Sequence, residues 1–130
     1  MDDLTRWEKG RFAEDRAFER YGGIKHPKYA STIPDLERIH EGTIEWIEVK
    51  AIDLAADFSF INAMYHLKSQ IRKRERVIPK GGNQRAFLLF TNADGWEEEE
   101  IIEAVRRNLK GINASIDIEI MRGQAHEPEE

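Results

Sequence analysis

Ile33-Pro34-Asp35-Leu36-Glu37-Arg38-Ile39-His40-Glu41-Gly42-Thr43-Ile44-Glu45-Trp46-Ile47-Glu48-Val49-Lys50 is the stretch on which the fold turns. Strand-forming residues run on either side of Glu41-Gly42, over 35–39 and 43–50, the pattern of a β-hairpin. With Glu41-Gly42 as a two-residue turn, His40 faces Thr43 and Asp35 falls opposite Glu48. Opposed residues share a face with Cβ atoms roughly 5 Å apart, so both carboxylates reach one divalent cation. Lys50, two residues on, lies on that face too. A three- or four-residue turn would shift the pairing and bring Glu37, also on Asp35's face, into the place of a ligand.

Working outward, the second strand alternates Ile44, Trp46, Glu48 and Lys50 on one face with Glu45, Ile47, Val49 and Ala51 on the other. Apolar residues on both faces mark a central strand covered on each side, with polar groups only towards its end, and open sheets usually place their chemistry at strand ends. Before the hairpin, a helix is predicted over 4–20 and stopped by Gly22-Gly23, with Trp7, Phe18 and Tyr21 on its buried stripe. Glu14 shares that stripe and needs compensation there: a buried Arg, contact with water, or a cation. Residues 24–32 read as a weak strand broken by His26-Pro27.

After the hairpin, Asp57 or Ser59 caps a second helix that frays near Arg76, with Phe60, Ile61, Met64, Leu67 and Ile71 as its apolar stripe. The run 85–91 is a buried strand. Asp94-Gly95-Trp96 opens a third helix that Gly111 stops, its four glutamates at the positive end of the dipole and its basic residues at the negative end. Trp96 is read as a helix-start anchor in the core rather than a base-stacking platform. Residues 115–120 alternate as an edge strand. The order αβββαβαβ implies a single α/β domain over 1–122, a mixed central sheet flanked by helices, followed by an acidic, disordered tail over 123–130.

Composition narrows the function classes. The 130 residues suit one domain. No apolar run approaches the roughly 20 residues of a membrane helix, and the acidic N-terminus lacks a secretory pattern. The absence of cysteine excludes disulfides and thiolate metal sites and suits a cytoplasmic protein. The four histidines show no zinc-site spacing. The net charge of −5 hides an asymmetry. Residues 68–85 hold seven Lys/Arg against Glu75 alone, leaving that segment at +6, while 13 basic against 24 acidic residues leave the remainder at −11. Such a patch is either a phosphate-docking surface or a solvated helix end.

Two carboxylates and an ammonium at the end of a hairpin meet the needs of a metal-dependent phosphodiesterase. The element order and these residues resemble the PD-(D/E)XK nuclease superfamily, with its restriction-endonuclease-like fold. Pro34-Asp35 looks like its first motif and Glu48-Val49-Lys50 like its (D/E)-x-K motif. Residues 9–14, ending in Glu14, look like the acidic motif that archaeal Holliday-junction resolvases carry in their first helix. Ser31 is similar to a serine near the site of those resolvases, and Gln70 to a glutamine several branches place beside it. The resemblance spans about residues 9–91.

The resemblance implies catalytic roles for Asp35, Glu48, Lys50, Glu14 and Gln70. It implies Mg²⁺ or Mn²⁺ held by Asp35, Glu48, the Val49 carbonyl and Glu14. Lys68, Arg72, Lys73, Arg74 and Ser31 would then meet nucleic acid, DNA or RNA. Specificity would come from loops, a homodimer or a partner subunit. The second helix also looks like that of contact-dependent inhibition toxin nucleases, which implies a protein inhibitor. Other readings stand beside these: Lys50 as an ion-pair partner of Glu48 or Glu45, Gln70 as an exposed helix residue, and the whole chain as a nucleic-acid-binding or protein-interaction module without catalysis.

Overall fold

The computed structural model describes residues 6–26 and 33–122, with only the backbone of Arg6 and Trp7. Ser31, the side chain of Trp7 and the acidic tail lie outside the described residues. The elements are α1 (Arg6–Tyr21), β1 (Ile24–Lys25), β2 (Leu36–His40), β3 (Thr43–Asp53), α2 (Ser59–Arg74), β4 (Asn83–Thr91), α3 (Glu98–Asn108) and β5 (Ser115–Ile120). They build one five-stranded sheet in the order β1-β2-β3-β4-β5. β1, β2 and β3 pair antiparallel, whereas β3, β4 and β5 run parallel. The α/β class, the element order and the central place of β3 are those expected.

The hairpin register is also the expected one. His40 pairs with Thr43 and Leu36 with Ile47, closed by Glu41 and Gly42 at φ 52° and 81°. Two successive left-handed residues match the strands' twist, which is why a two-residue turn suffices.

The alternation of β3 divides the core in two. Ile47 and Val49 pack with Leu36, Phe87, Leu89 and α1's Ala13 and Ala17. Ile52 packs on the other face with Met64, Leu67 and Ile71 of α2 and Ile101 and Val105 of α3. The α1 stripe differs from the sequence expectation: Ala13 and Ala17 are fully buried, while Phe18 is 40% exposed. Alanines let the helix lie close to the sheet, and Phe18 instead stacks under the Lys25 ammonium at 5.0 Å.

Under the C-terminal half of α1, a row of alternating charges crosses four strands. Arg38 donates to Glu45 at 2.7 Å, Arg85 to the other oxygen of Glu45 at 3.1 Å, and Arg85 to Asp117 at 2.9 Å. Tyr21 closes the row by donating its hydroxyl to Asp117. Opposite charges on neighbouring strands supply the counter-ion that buried Glu45 requires.

Two helix starts also differ from expectation. α3 begins at Glu98, capped by Glu97 and Glu100 in a reciprocal box, so Asp94-Gly95-Trp96 is a turn before it and Trp96 is 44% exposed instead of a core anchor. The N-cap of α2 is Phe58, in a left-handed conformation at φ 65°. Ser59 does not cap; its hydroxyl accepts the Asp53 N–H at 3.1 Å. No helix among the described residues is long and apolar enough to cross a membrane.

Gly23, at φ 90°, links α1 to β1, where an added Cβ would press on the Glu37 carbonyl and come within 2.9 Å of Arg38 Cβ. Gly23→Ala is therefore expected to cost about 2–3 kcal/mol, read from urea denaturation, while Gly22→Ala, with open space around it, costs less.

Candidate functional site

The β2–β3 ladder stops at a proline, and that stop builds the site. Continuing the register beyond Leu36–Ile47 sets Pro34 opposite Val49. Proline has no N–H to give the Val49 carbonyl. The Val49 N–H is taken by a side chain, with Asp35 Oδ2 accepting it at 2.7 Å. Within a strand the N–H and C=O of one residue point to the same side, so the Val49 carbonyl faces the side on which Asp35 sits. Among the described residues, β3 from Glu48 to Asp53 pairs only with β4 and its other edge carries no strand.

Asp35 and Glu48 are 6% and 5% exposed, and their charges act directly on one another. Glu48 is held from α2: Arg74 donates Nη1 to Glu48 Oε1 at 2.7 Å and Nη2 to the Ile33 carbonyl at 2.9 Å. Lys50 Nζ stands 3.4 Å from Glu48 Oε2. Two acids and two bases thus form a charge-balanced cluster. Burial first, and then the Asp35 charge, raise the Glu48 carboxyl above the ordinary carboxylate range, against the opposing pull of Arg74 and Lys50.

Arg74 corrects the sequence reading. Expected on the nucleic-acid surface, it is 2% exposed and serves the site from within. The signal was present: Arg74 continues the stripe of Leu67 and Ile71, so its side chain points at the sheet. Lys68, Arg72 and Lys73 remain at the surface, Lys68 partly covered.

Gln70 precedes Arg74 by one turn on the same helix face. Since α2 returns antiparallel to β3, one turn of about 6 Å against two strand residues of about 6.6 Å sets Gln70 level with Lys50. Its Oε1 is buried with no hydrogen-bond partner among the described residues, whereas an exposed helix residue would be in water.

Glu14 does not join them. α1 covers the face of Val49, opposite that of Glu48 and Lys50, and no group of three His, Asp or Glu side chains among the described residues is placed to hold a metal ion. The expected three-carboxylate set is thereby reduced to the Asp35–Glu48 pair. Glu37, the alternative ligand, is engaged by His26 Nε2 at 2.8 Å.

Beyond Lys50, the open edge of β3 borders a cleft of about 510 Å³ lined by Lys9, Lys50, Asp53, Ser59, Asn62 and His66. Lys9 donates to Asp53 at 2.6 Å across its end. Asn62, His66 and Gln70 recur every fourth residue on α2, a polar stripe legible only once α2 is laid against β3. Comparison of the chain with protein-family models, with curated proteins and with solved structures returns no match.

Replacing Arg74 by Ala is expected to cost about 3–5 kcal/mol in urea denaturation, because Glu48 would be left buried beside Asp35 without its guanidinium. Since folding raises the Glu48 pKa above 4.5, the native state keeps a proton that the unfolded chain releases, and this group's contribution to stability falls as pH rises through that window. Asp117 has the opposite sign: burial acts upward but is outweighed by the bonds from Tyr21 and Arg85, lowering its pKa from 3.8. Its contribution is complete above that value and is lost on acidification below it. Stability measured across this range should show Glu48→Gln flattening the descending limb and Asp117→Asn the acid limb.

Proposed function

We propose that this protein is a divalent-metal-dependent nuclease that hydrolyses phosphodiester bonds in DNA or RNA. The observation that carries the reading is the convergence of Asp35, Glu48 and Lys50 where Pro34 ends the hairpin ladder. The donor set suits Mg²⁺ or Mn²⁺, being oxygen-only. The two carboxylates, already oriented by the Val49 N–H, Arg74 and Lys50, would supply oxygen ligands, with the Val49 carbonyl and Gln70 Oε1 as further oxygen acceptors on that side. A cation bound there would polarise the phosphate and lower the pKa of a coordinated water.

The chain's own groups do the rest. Asp35 is oriented by the Val49 N–H and Glu48 by Arg74, so neither carboxylate must be ordered on binding. Lys50, on the strand beside them, offsets the charge that develops on the phosphate oxygens. Gln70 orients a water through its side-chain oxygen, buried on the same side. Lys68, Arg72 and Lys73 hold the backbone, Lys as a point charge and Arg as a fork. On this reading the enzyme works in the cytoplasm, on nucleic acid, with a second copy, a partner subunit or an inhibitor protein as candidate associates.

Arg74 and Lys50 already neutralise the two acids, so metal affinity on its own is expected to be weak and to strengthen when a nucleic-acid phosphate adds negative charge. Titration calorimetry with Mg²⁺ or Mn²⁺ should show binding that Asp35→Ala and Glu48→Ala each abolish. Lys50→Ala should keep metal binding and lower the cleavage rate by about 10²–10³. Cleavage that persists in EDTA, or that survives Asp35→Ala, would overturn the reading. Retention of nucleic acid without cleavage by any substrate would favour a binding module.

A further inference from the structure

The polar cleft beside Lys50 adjoins a second cavity of different character. A pocket of about 280 Å³ between the starts of α2 and α3 is lined by Leu54, Phe58, Phe60, Ile61, Trp96 and Ile101. Asp53 and Ala56 line both cavities, so the apolar pocket opens one step from the polar one. At its rim Phe58, Ile61 and Trp96 are 73%, 56% and 44% exposed. Soluble surfaces carry such residues singly but seldom as a cluster.

Phe58 is held where a phenylalanine rarely sits. At φ 65° its Cβ crowds the backbone, a cost that glycine avoids. The core gains little in return, since the ring stays largely in solvent. A bulky residue kept in a strained conformation with its ring exposed is the pattern of a functional position.

The exposed face of α2 continues from this rim with spacings of three and four residues: Phe58, Ile61, Tyr65, Lys68, Arg72. Tyr65 is 67% exposed, its ring edge-on to that of His66 at 5.5 Å, and His66 lines the Lys50 cleft. One flank of the helix therefore offers polar groups beside Lys50, its crest offers aromatic faces, and its far end offers cations. An apolar protein partner matches the crest and not the cations. A strand of nucleic acid matches both, with phosphates for the cations and π-faces for the rings.

We infer that the site takes unpaired nucleic acid, with one base seated in the Phe58–Trp96 pocket while the adjoining phosphate lies in the Lys50 cleft. The inference rests on the nuclease reading for the phosphate and on the aromatic rim for the base. Bases in a duplex present their faces only to one another, so a strand must be single or have a base extruded before Phe58 can stack on it. The pocket lies just under the range of about 300–1,000 Å³ that holds drug-sized ligands, room for one base and not for a pair.

Phe58→Gly separates fold from function, since it removes the ring and relieves the backbone. Fluorescence anisotropy of the full chain in EDTA, with short labelled DNA and RNA single strands and the matching duplexes, should show single strands bound more tightly. Phe58→Gly should weaken single-strand binding about tenfold while leaving duplex binding unchanged and the Tm equal or higher. Trp96→Leu should weaken the same binding without altering the salt dependence set by Lys68 and Arg72. Equal affinity for single strands and duplexes, or Phe58→Gly binding like the parent, would overturn the inference, as would a Phe58-dependent dimer seen by size exclusion with nucleic-acid binding intact. Cleavage of single strands by a Phe58→Gly protein at the parental rate and affinity would leave the nuclease reading standing without the base pocket. Phe58-dependent strand binding with no cleavage of any substrate would leave the pocket standing without the nuclease.

Discussion

The bond from the Val49 N–H to the Asp35 carboxylate sets the whole open end of the sheet. A backbone ladder would have carried β2 alongside β3 to its end and sealed that edge. Pro34 has no N–H to give the Val49 carbonyl in such a ladder, and the Val49 N–H is accepted instead by the Asp35 side chain. Three consequences follow from one substitution of side chain for backbone. Asp35 is fixed in orientation, the Val49 carbonyl is turned towards it, and the second half of β3 has, among the described residues, no second strand beside it where the cleft lies. Local pairing chemistry and the position of the site are thus the same fact.

A buried pair of acids would not survive there without the helix that covers it. Asp35 and Glu48 repel, and burial sharpens that repulsion because the interior screens charge poorly. Arg74 reaches Glu48 and the Ile33 carbonyl together, tying α2 both to β3 and to the segment that leads into β2. The guanidinium serves as counter-ion and as clamp. Lys50 completes the balance from the strand itself. The other face of the sheet handles its charges differently, by alternating signs from strand to strand under Tyr21. Charge in this protein is buried in sets that sum near zero, the arrangement that low dielectric demands.

The same covering helix has two further surfaces, and they differ in kind. Its buried stripe of Met64, Leu67 and Ile71 holds the α/β sandwich together. Its polar flank of Asn62, His66 and Gln70 lies along the open strand edge, and its crest of Phe58, Ile61 and Tyr65 faces solvent. A helix that served only as a crossover would need the first of these alone. The strain at Phe58 and the stranded oxygen of Gln70 are local departures from what stability asks, and both fall on the side of α2 that looks towards the cleft or its neighbour.

The residues alone determined the hairpin, because Glu41-Gly42 supplies two left-handed positions and the strands alternate on either side, a period of two that admits a single register. They determined with it the approach of Asp35 to Glu48 and Lys50, the mixed αβββαβαβ sheet, and the central place of β3. What they did not determine is which charges are inside. Arg74 and Arg85 stand among the seven basic residues of 68–85, and only packing into the sheet, which draws Arg74 to Glu48 and Arg85 to Glu45 and Asp117, separates these two from the solvated cations. Glu14 was misplaced for the complementary reason: its position on a helix is local, whereas the face of the sheet that α1 covers depends on Ala13 and Ala17 packing against residues far along the chain. Trp96 likewise reads as a core anchor until the start of α3 at Glu98 exposes it, and Asp57 or Ser59 reads as the cap of α2 until the left-handed turn puts Phe58 there. Periodicity is written in neighbours a few residues apart, but burial of a charge or exposure of a ring is a balance struck between distant segments, and only the tertiary structure decides it.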